Sequence, residues 1–300
     1  MTFALAAMAV TAWPESRHRV YIDAASKGAD IPESMYGMFF EEINHAGDGG
    51  LYGELLQNRS FEEHVCPGGM TYKDGKVWAP HALNYWGLDY VDFNVDWNIE
   101  EKKFQGWDIT ATGCSLSKDV AVPEVVLHEN TPNALRLAIS GASDASVVNV
   151  DNSGYWGLAV KKGATYKLRF YLRTEDYTGG VKAMICNAGG MALTEKEFKV
   201  VSDGKWTEYT AELVSTSKMD NGLFRLQFSG NGSIDVDYVS LFPADTYKGR
   251  ENGFRKDVAE MLEGLNPAFL RWPGGCIVEG ATLGNRVKWK ETIGDPMTRP

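Results

Sequence analysis

Two carboxylates stand side by side in "YGMFFEEI", residues 36–43, where Glu41 and Glu42 close an apolar run. Paired carboxyls are what a glycoside hydrolase uses, one to protonate the leaving oxygen and one to attack the sugar or activate water. A retaining enzyme holds the pair about 5–5.5 Å apart across the sugar. Neighbouring side chains on a strand point to opposite faces, so Glu41 and Glu42 cannot make that arrangement. One of them can still accept hydrogen bonds from a substrate hydroxyl, while the other reads as a salt-bridged neighbour. A second polar group, Arg271, ends the apolar run "AFLRW" and precedes Pro273, Gly274 and Gly275, whose glycines allow close backbone approach. Beside a strand-end Glu it would clamp a hydroxyl-rich ligand; the plainer reading pairs it with a carboxylate, Glu41 included. Trp272 reads as core.

Aromatic side chains offer a second chemistry. "NSGYWG" sets Tyr155 and Trp156 between glycines, and "FQGW" puts Trp107 in a similar setting. An exposed ring can stack on the apolar C–H face of a sugar; the alternative for each residue is ordinary sheet core. "DVD" at 235–237 resembles a cation-binding fragment, but on an alternating strand its two Asp read as a solvated face. Cys66, Cys114, Cys186 and Cys276 show no CxxC pairing, and five scattered His make no zinc pattern, so the thiols read as buried and free.

The elements that must position these groups follow from periodicity. "HRVYIDA" (18–24) alternates like a strand, and "MYGMFFEEI" is continuously apolar, as a strand buried on both faces would be. After it come a Gly-rich turn and a predicted short helix carrying Leu51, Leu55 and Leu56. From about 100 to 243, alternating segments such as "TYKLRFYLR", "LFRLQF" and "SIDVDYVSLF" are separated by turns, predicting an antiparallel β-sandwich. At 253 the period changes: Phe254, Val258, Met261, Leu262 and Leu265 share one helical face, with Gly264 as the expected C-cap and Pro267 as the stop. Helix and buried strand make half of a βαβ unit whose first strand is best supplied by residues 36–42. The sandwich would then be an insertion after that strand.

Composition narrows the classes. The 300 residues suit one large or two ordinary domains, and 44% hydrophobic residues with nine Trp can build a sizeable core. Thirty basic against forty acidic residues, a net charge of −10, exclude a nucleic-acid binder that works by clustered basic contacts. Beyond the first dozen residues no run approaches a membrane span. The opening "MTFALAAMAVTAW" reads as a signal-peptide remnant or an apolar tail, since no Lys or Arg precedes it.

Three blocks, "MYGMFFEEINHAGDGGLYGELLQNRSFEE", "FLRWPGGCIVEG" and "NRVKWKETIGDPMTRP", together resemble the start of a glycoside hydrolase family 51 α-L-arabinofuranosidase. The intervening strands more loosely resemble carbohydrate-binding modules of the family 4 and 9 type, which occur after the first barrel strand in larger arabinofuranosidases. The fold class implied is α/β plus all-β. It is the start of a (β/α)8 TIM barrel, interrupted by an inserted jelly-roll-like sandwich and incomplete in this chain. The segments are 1–13 (signal remnant), 18–63 (lead-in and first barrel strands), 64–99 (connection), 100–243 (sandwich) and 244–300 (barrel helix and second strand).

The resemblance implies a retaining hydrolase, secreted or periplasmic, removing terminal α-L-arabinofuranosyl groups from arabinoxylan or arabinan. It implies no metal or organic cofactor. The family's hydroxyl-binding Glu maps to Glu41 and its site Arg to Arg271. Many members carry Asn five residues after that Arg; here Cys276, a weaker hydrogen-bonder, stands at the matching site position. The acid/base and nucleophile Glu are expected downstream of Pro300, because a barrel takes eight strands and roughly 250 residues. Two rival readings stand beside this one: a non-catalytic carbohydrate-binding chain relying on Trp156, Tyr155 or Trp107, and a barrel glycosidase of another specificity.

Overall fold

Between Met38 and Arg271 the chain leaves a short strand, builds two antiparallel sheets, and returns to pair with the strand it left. The computed structural model describes residues 19–83, 90–275 and 278–299. It is mostly β with few helices. The opening 1–13 segment lies outside the described residues. Residues 19–23 form no strand, and Val20 and Ile22 are both exposed, which corrects the expected lead-in strand.

After β1 (Met38–Phe39) comes an irregular turn, Gly47–Leu51. The helix expected over Leu51–Leu56 is absent. Instead this stretch docks on the two-sheet unit: Leu55 N–H donates to Leu241 O at 3.0 Å, and Val239 N–H donates to Arg59 O at 2.8 Å. Leu51, Leu56 and Phe61 are buried there, so tertiary docking overrides the helical spacing of the leucines. The 64–99 connection holds a small antiparallel sheet of β2 (Thr71–Lys73), β3 (Lys76–Leu83) and β4 (Tyr90–Asp96). Asp74 and Gly75, at φ 52° and 73°, make its first turn, the conformation an Asp-Gly pair favours. Helix α1 (Ile99–Lys103) follows, capped by the Asn98 side chain, which accepts from Glu101 N–H.

Eleven strands then fill 107–243. They are β5 (Trp107–Thr112), β6 (Ser115–Ala121), β7 (Ala134–Ser140), β8 (Val147–Asn152), β9 (Leu158–Val160) and β10 (Thr165–Arg173). The run continues with β11 (Gly180–Cys186), β12 (Ala192–Lys199), β13 (Thr207–Val214), β14 (Met219–Ser229) and β15 (Gly232–Pro243). One sheet has the order β13–β10–β15–β7–β6, the other β12–β11–β14–β8–β5 with β9 beside β14. Alternation supplies the core between them: Tyr166, Leu168, Phe170 and Leu172 of β10 and Phe224, Leu226 and Phe228 of β14 belong to one buried cluster. Each such side chain stabilises by about 1.5–3 kcal/mol relative to exposure.

The outer face of β15 departs from expectation. Asp235 and Asp237 are 2% and 1% exposed, which corrects the solvated face predicted for "DVD". Asp235 accepts two bonds from Arg136, at 2.7 and 2.9 Å, and one from Arg173 at 3.2 Å. Asp237 accepts from Tyr238 N–H at 2.6 Å, and burial pushes its carboxyl well above the ordinary range. Of the thiols, Cys186 is buried and burial raises it to about 11, while Cys66 and Cys114 are only partly buried.

Helix α2 (Lys256–Gly264) and β16 (Leu270–Arg271) complete the described elements. Gly264 is the last helical residue rather than the cap; Asn266, at φ 46°, makes the left-handed turn that ends the helix before Pro267. The apolar stripe of α2 is largely unpacked, with Met261 and Leu265 exposed. β16 pairs in parallel with β1, matching Met38 to Leu270 and Phe39 to Arg271. The ladder runs past both strands, from Ala268 N–H on Tyr36 O at 3.0 Å to Glu42 N–H on Pro273 O at 3.3 Å.

Candidate functional site

The parallel pair aims three side chains to one side of its C-terminal end. Phe39 and Glu41 are two residues apart on one strand and therefore share a face. Arg271 lies opposite Phe39 in register, and its guanidinium carbon sits 4.6 Å from the Phe39 ring centroid. Gly275 approaches the same place. A Cβ there would lie 3.6 Å from Glu41 Oε1, 3.9 Å from Arg271 Nη2 and 3.5 Å from the Phe39 ring. Carboxylate and guanidinium thus both come within 4 Å of one point. No ion pair joins them among the described residues, so each keeps its hydrogen-bonding capacity for another partner.

Glu42 turns the other way. Its Oε2 accepts from Asp48 N–H at 3.3 Å inside the Gly-rich turn. Burial raises its carboxyl, and the hydrogen bonds from the Gly47 and Asp48 amides only partly oppose this. A Cβ on Gly47 would meet Glu42 Oε2, so any other residue there would make the carboxylate shift out of this seat. On that same side Trp272 stacks on Phe40, ring centroids 4.1 Å apart, and stays half exposed rather than entering a core.

The turn after Glu42 carries the site toward the two-sheet unit. His45 lies 4.9 Å from the Tyr155 ring and 5.8 Å from the Trp156 ring. Tyr155 packs on Gly49, where a Cβ would come within 2.5 Å of the ring. Trp156 is 67% exposed. His45 did not emerge from sequence reasoning; its only local signal is the Gly-rich run around it, which relaxes the backbone without naming a partner. Trp107 is a correction. It is 6% exposed, stacks on Phe61 at 5.2 Å and donates its indole N–H to Asn58 O at 2.9 Å, so it presents no face to a ligand. Cys276 lies outside the described residues. Among the described residues no cluster of His, Cys, Asp or Glu is placed to hold a metal ion.

Residues 261–300 match the family model described as the α-L-arabinofuranosidase 1 domain. α-L-Arabinofuranosidase 1 of Arabidopsis thaliana is 34% identical over 96% of this chain, which spans 38% of that protein. The extracellular exo-α-L-arabinofuranosidase of Streptomyces chartreusis is 32% identical over 92% of this chain and 29% of its own length. Among solved structures, the arabinose-bound MgGH51 α-L-arabinofuranosidase matches with a TM-score of 0.72 and 29% identity, covering 90% of this chain and 39% of that one. Sequence and fold agree across nearly all of the 300 residues, which span roughly a third of the length of these proteins, and the matches together support a glycoside hydrolase family 51 α-L-arabinofuranosidase.

Proposed function

We propose that this chain is part of a retaining α-L-arabinofuranosidase and supplies the residues that orient the arabinofuranosyl group. The observation that carries the reading is the convergence of the Glu41 carboxylate and the Arg271 guanidinium within 4 Å of one point beside Gly275. An acceptor and a forked donor set, neither consumed by the other, suit vicinal sugar hydroxyls. In this reading β1 and β16 are the first two strands of a (β/α)8 barrel, and the site sits at the strand ends where such barrels carry their chemistry. The two-sheet unit is an inserted carbohydrate-binding sandwich, and the protein acts outside the cytoplasm on arabinose-bearing plant polysaccharide.

Neither Glu41 nor Arg271 breaks the bond. The reaction protonates the leaving oxygen from one Glu and forms a covalent arabinosyl intermediate on another, which water then hydrolyses. Glu41 and Glu42 point apart, so the reading assigns both catalytic carboxyls to positions beyond Pro300. The test is chromophore release from an aryl α-L-arabinofuranoside by the 300-residue chain and by a version extended past Pro300. Turnover confined to the extended version supports the reading. Turnover by the 300 residues alone overturns the assignment of the carboxyls. Activity of the extended version only on other glycosides overturns the specificity.

A further inference from the structure

A cleft of about 970 Å³ opens between the two-sheet unit and the first turn of α2. Its volume is near the top of the roughly 300–1,000 Å³ range of small-molecule clefts. One wall is the 155–166 stretch, the other Arg255–Glu260, and Gly49, Tyr52 and Leu55 contribute from the turn that follows Glu42. Trp156 presents the most exposed ring in this wall, with Tyr155 beside it at 5.9 Å between ring centroids. Four basic and five acidic side chains line the cleft. Some are already paired, Lys256 with Asp245 at 3.0 Å and Arg255 with Asp257 at 2.9 Å. Lys161, Lys162 and Glu260 have no ion-pair partner among the described residues.

This chemistry selects one class of ligand. Near-balanced charge gives a polyanion no net attraction. Spare ammonium and carboxylate groups can donate to and accept from hydroxyls, and an exposed indole offers an apolar face to sugar C–H groups. We propose that the cleft binds the main chain of a neutral polysaccharide, held on Trp156 and led past His45 toward Glu41 and Arg271. The proposal rests on the carbohydrate reading above and gives it a main-chain subsite shared between the two-sheet unit and α2. Contact between His45 and the Tyr155–Trp156 pair ties the cleft to the turn that begins at the candidate arabinose site.

An unbranched neutral xylo-oligosaccharide, which carries no arabinose, isolates this subsite from the Glu41–Arg271 clamp. Its binding to the full 300-residue chain would be measured by isothermal titration calorimetry. The parent is expected to bind, Trp156→Ala to bind at least tenfold more weakly, and Trp156→Phe to recover most of the loss. Trp289→Ala, which removes another exposed indole far along the chain, should bind like the parent. Equal binding by the parent and Trp156→Ala overturns the cleft while leaving the hydrolase reading to the aryl-arabinofuranoside assay. Failure of the parent to bind, or binding only to an acidic oligogalacturonide, overturns it as well.

Discussion

Replacing Glu41 by Gln keeps the shape of the clamp beside Gly275 and removes its charge. A hydrogen bond to a charged group contributes about 1.5–3 kcal/mol, so Glu41→Gln in the extended protein should lower kcat/KM roughly ten- to hundredfold. Glu42→Gln should leave kcat/KM within about twofold, because Glu42 serves the Gly47–Asp48 turn. Comparable losses in both variants would sink the division of roles. Asp237 carries a second residue-scale prediction. Burial raises its carboxyl well above the ordinary 3.8, so the folded state holds a proton that the unfolded state releases. Its contribution to stability is therefore full below 3.8 and is lost as pH rises through the folded value. Asp237→Asn can keep the Tyr238 N–H bond without a charge. It should melt higher than the parent at neutral pH, with a flatter profile of Tm against pH; a profile parallel to the parent's would refute this. That Glu41 and Arg271 end neighbouring strands was legible, although they lie more than two hundred residues apart, because two continuously apolar runs and the helix before Pro267 match one βαβ unit. The place of His45 was not, since no such unit joins it to aromatic partners more than a hundred residues away.

Within the two-sheet unit, Trp107 decides how a strand is anchored. Trp107→Ala should cost about 3–5 kcal/mol of unfolding free energy by removing the stack on Phe61. Trp107→Phe keeps a ring and leaves Asn58 O its bond from Phe61 N–H at 3.3 Å, so it should cost only the one lost hydrogen bond, about 0.5–1.5 kcal/mol. Denaturant unfolding measures both, and a loss within error for Ala would return Trp107 to the surface. "FQGW" alone could not reveal this, because Asn58 and Phe61 come from the segment before the small sheet. Alternation placed Phe224, Leu226 and Phe228 correctly, since it sets which side chains share a face. It could not say whether the opposite face of β15 meets water, and Arg136 and Arg173 cover Asp235 there. The small β2–β3–β4 sheet carries one readable signal, the Asp-Gly turn at 74–75, but that turn alone does not say how far its strands extend.

Across the whole molecule, the segment after β16 is fastened to the two-sheet unit by Arg169, whose guanidinium donates to Asp295 at 2.8 and 3.0 Å. Burial pushes the Asp295 carboxyl up, but the bonds from Arg169 and the Met297 amide outweigh it and hold the group below its ordinary value. The fastening should therefore weaken as pH falls below 3.8. Asp295→Asn should accelerate proteolytic cleavage within 278–299 at neutral pH while leaving the sheet core resistant; unchanged cleavage would show that Thr298 O, held by Asn130, suffices. The parallel ladder between β1 and β16 has a consequence in time as well as space. Its strands are more than two hundred residues apart in the chain, whereas most neighbours inside the two sheets are antiparallel and closer in sequence. Closing so long a loop costs entropy that few contacts return until the intervening strands have condensed and drawn its ends together. The two-sheet unit thus serves as the folding chaperone of the site it interrupts, and amide protection at Met38 and Phe40 should appear after protection at Phe224 and Leu226.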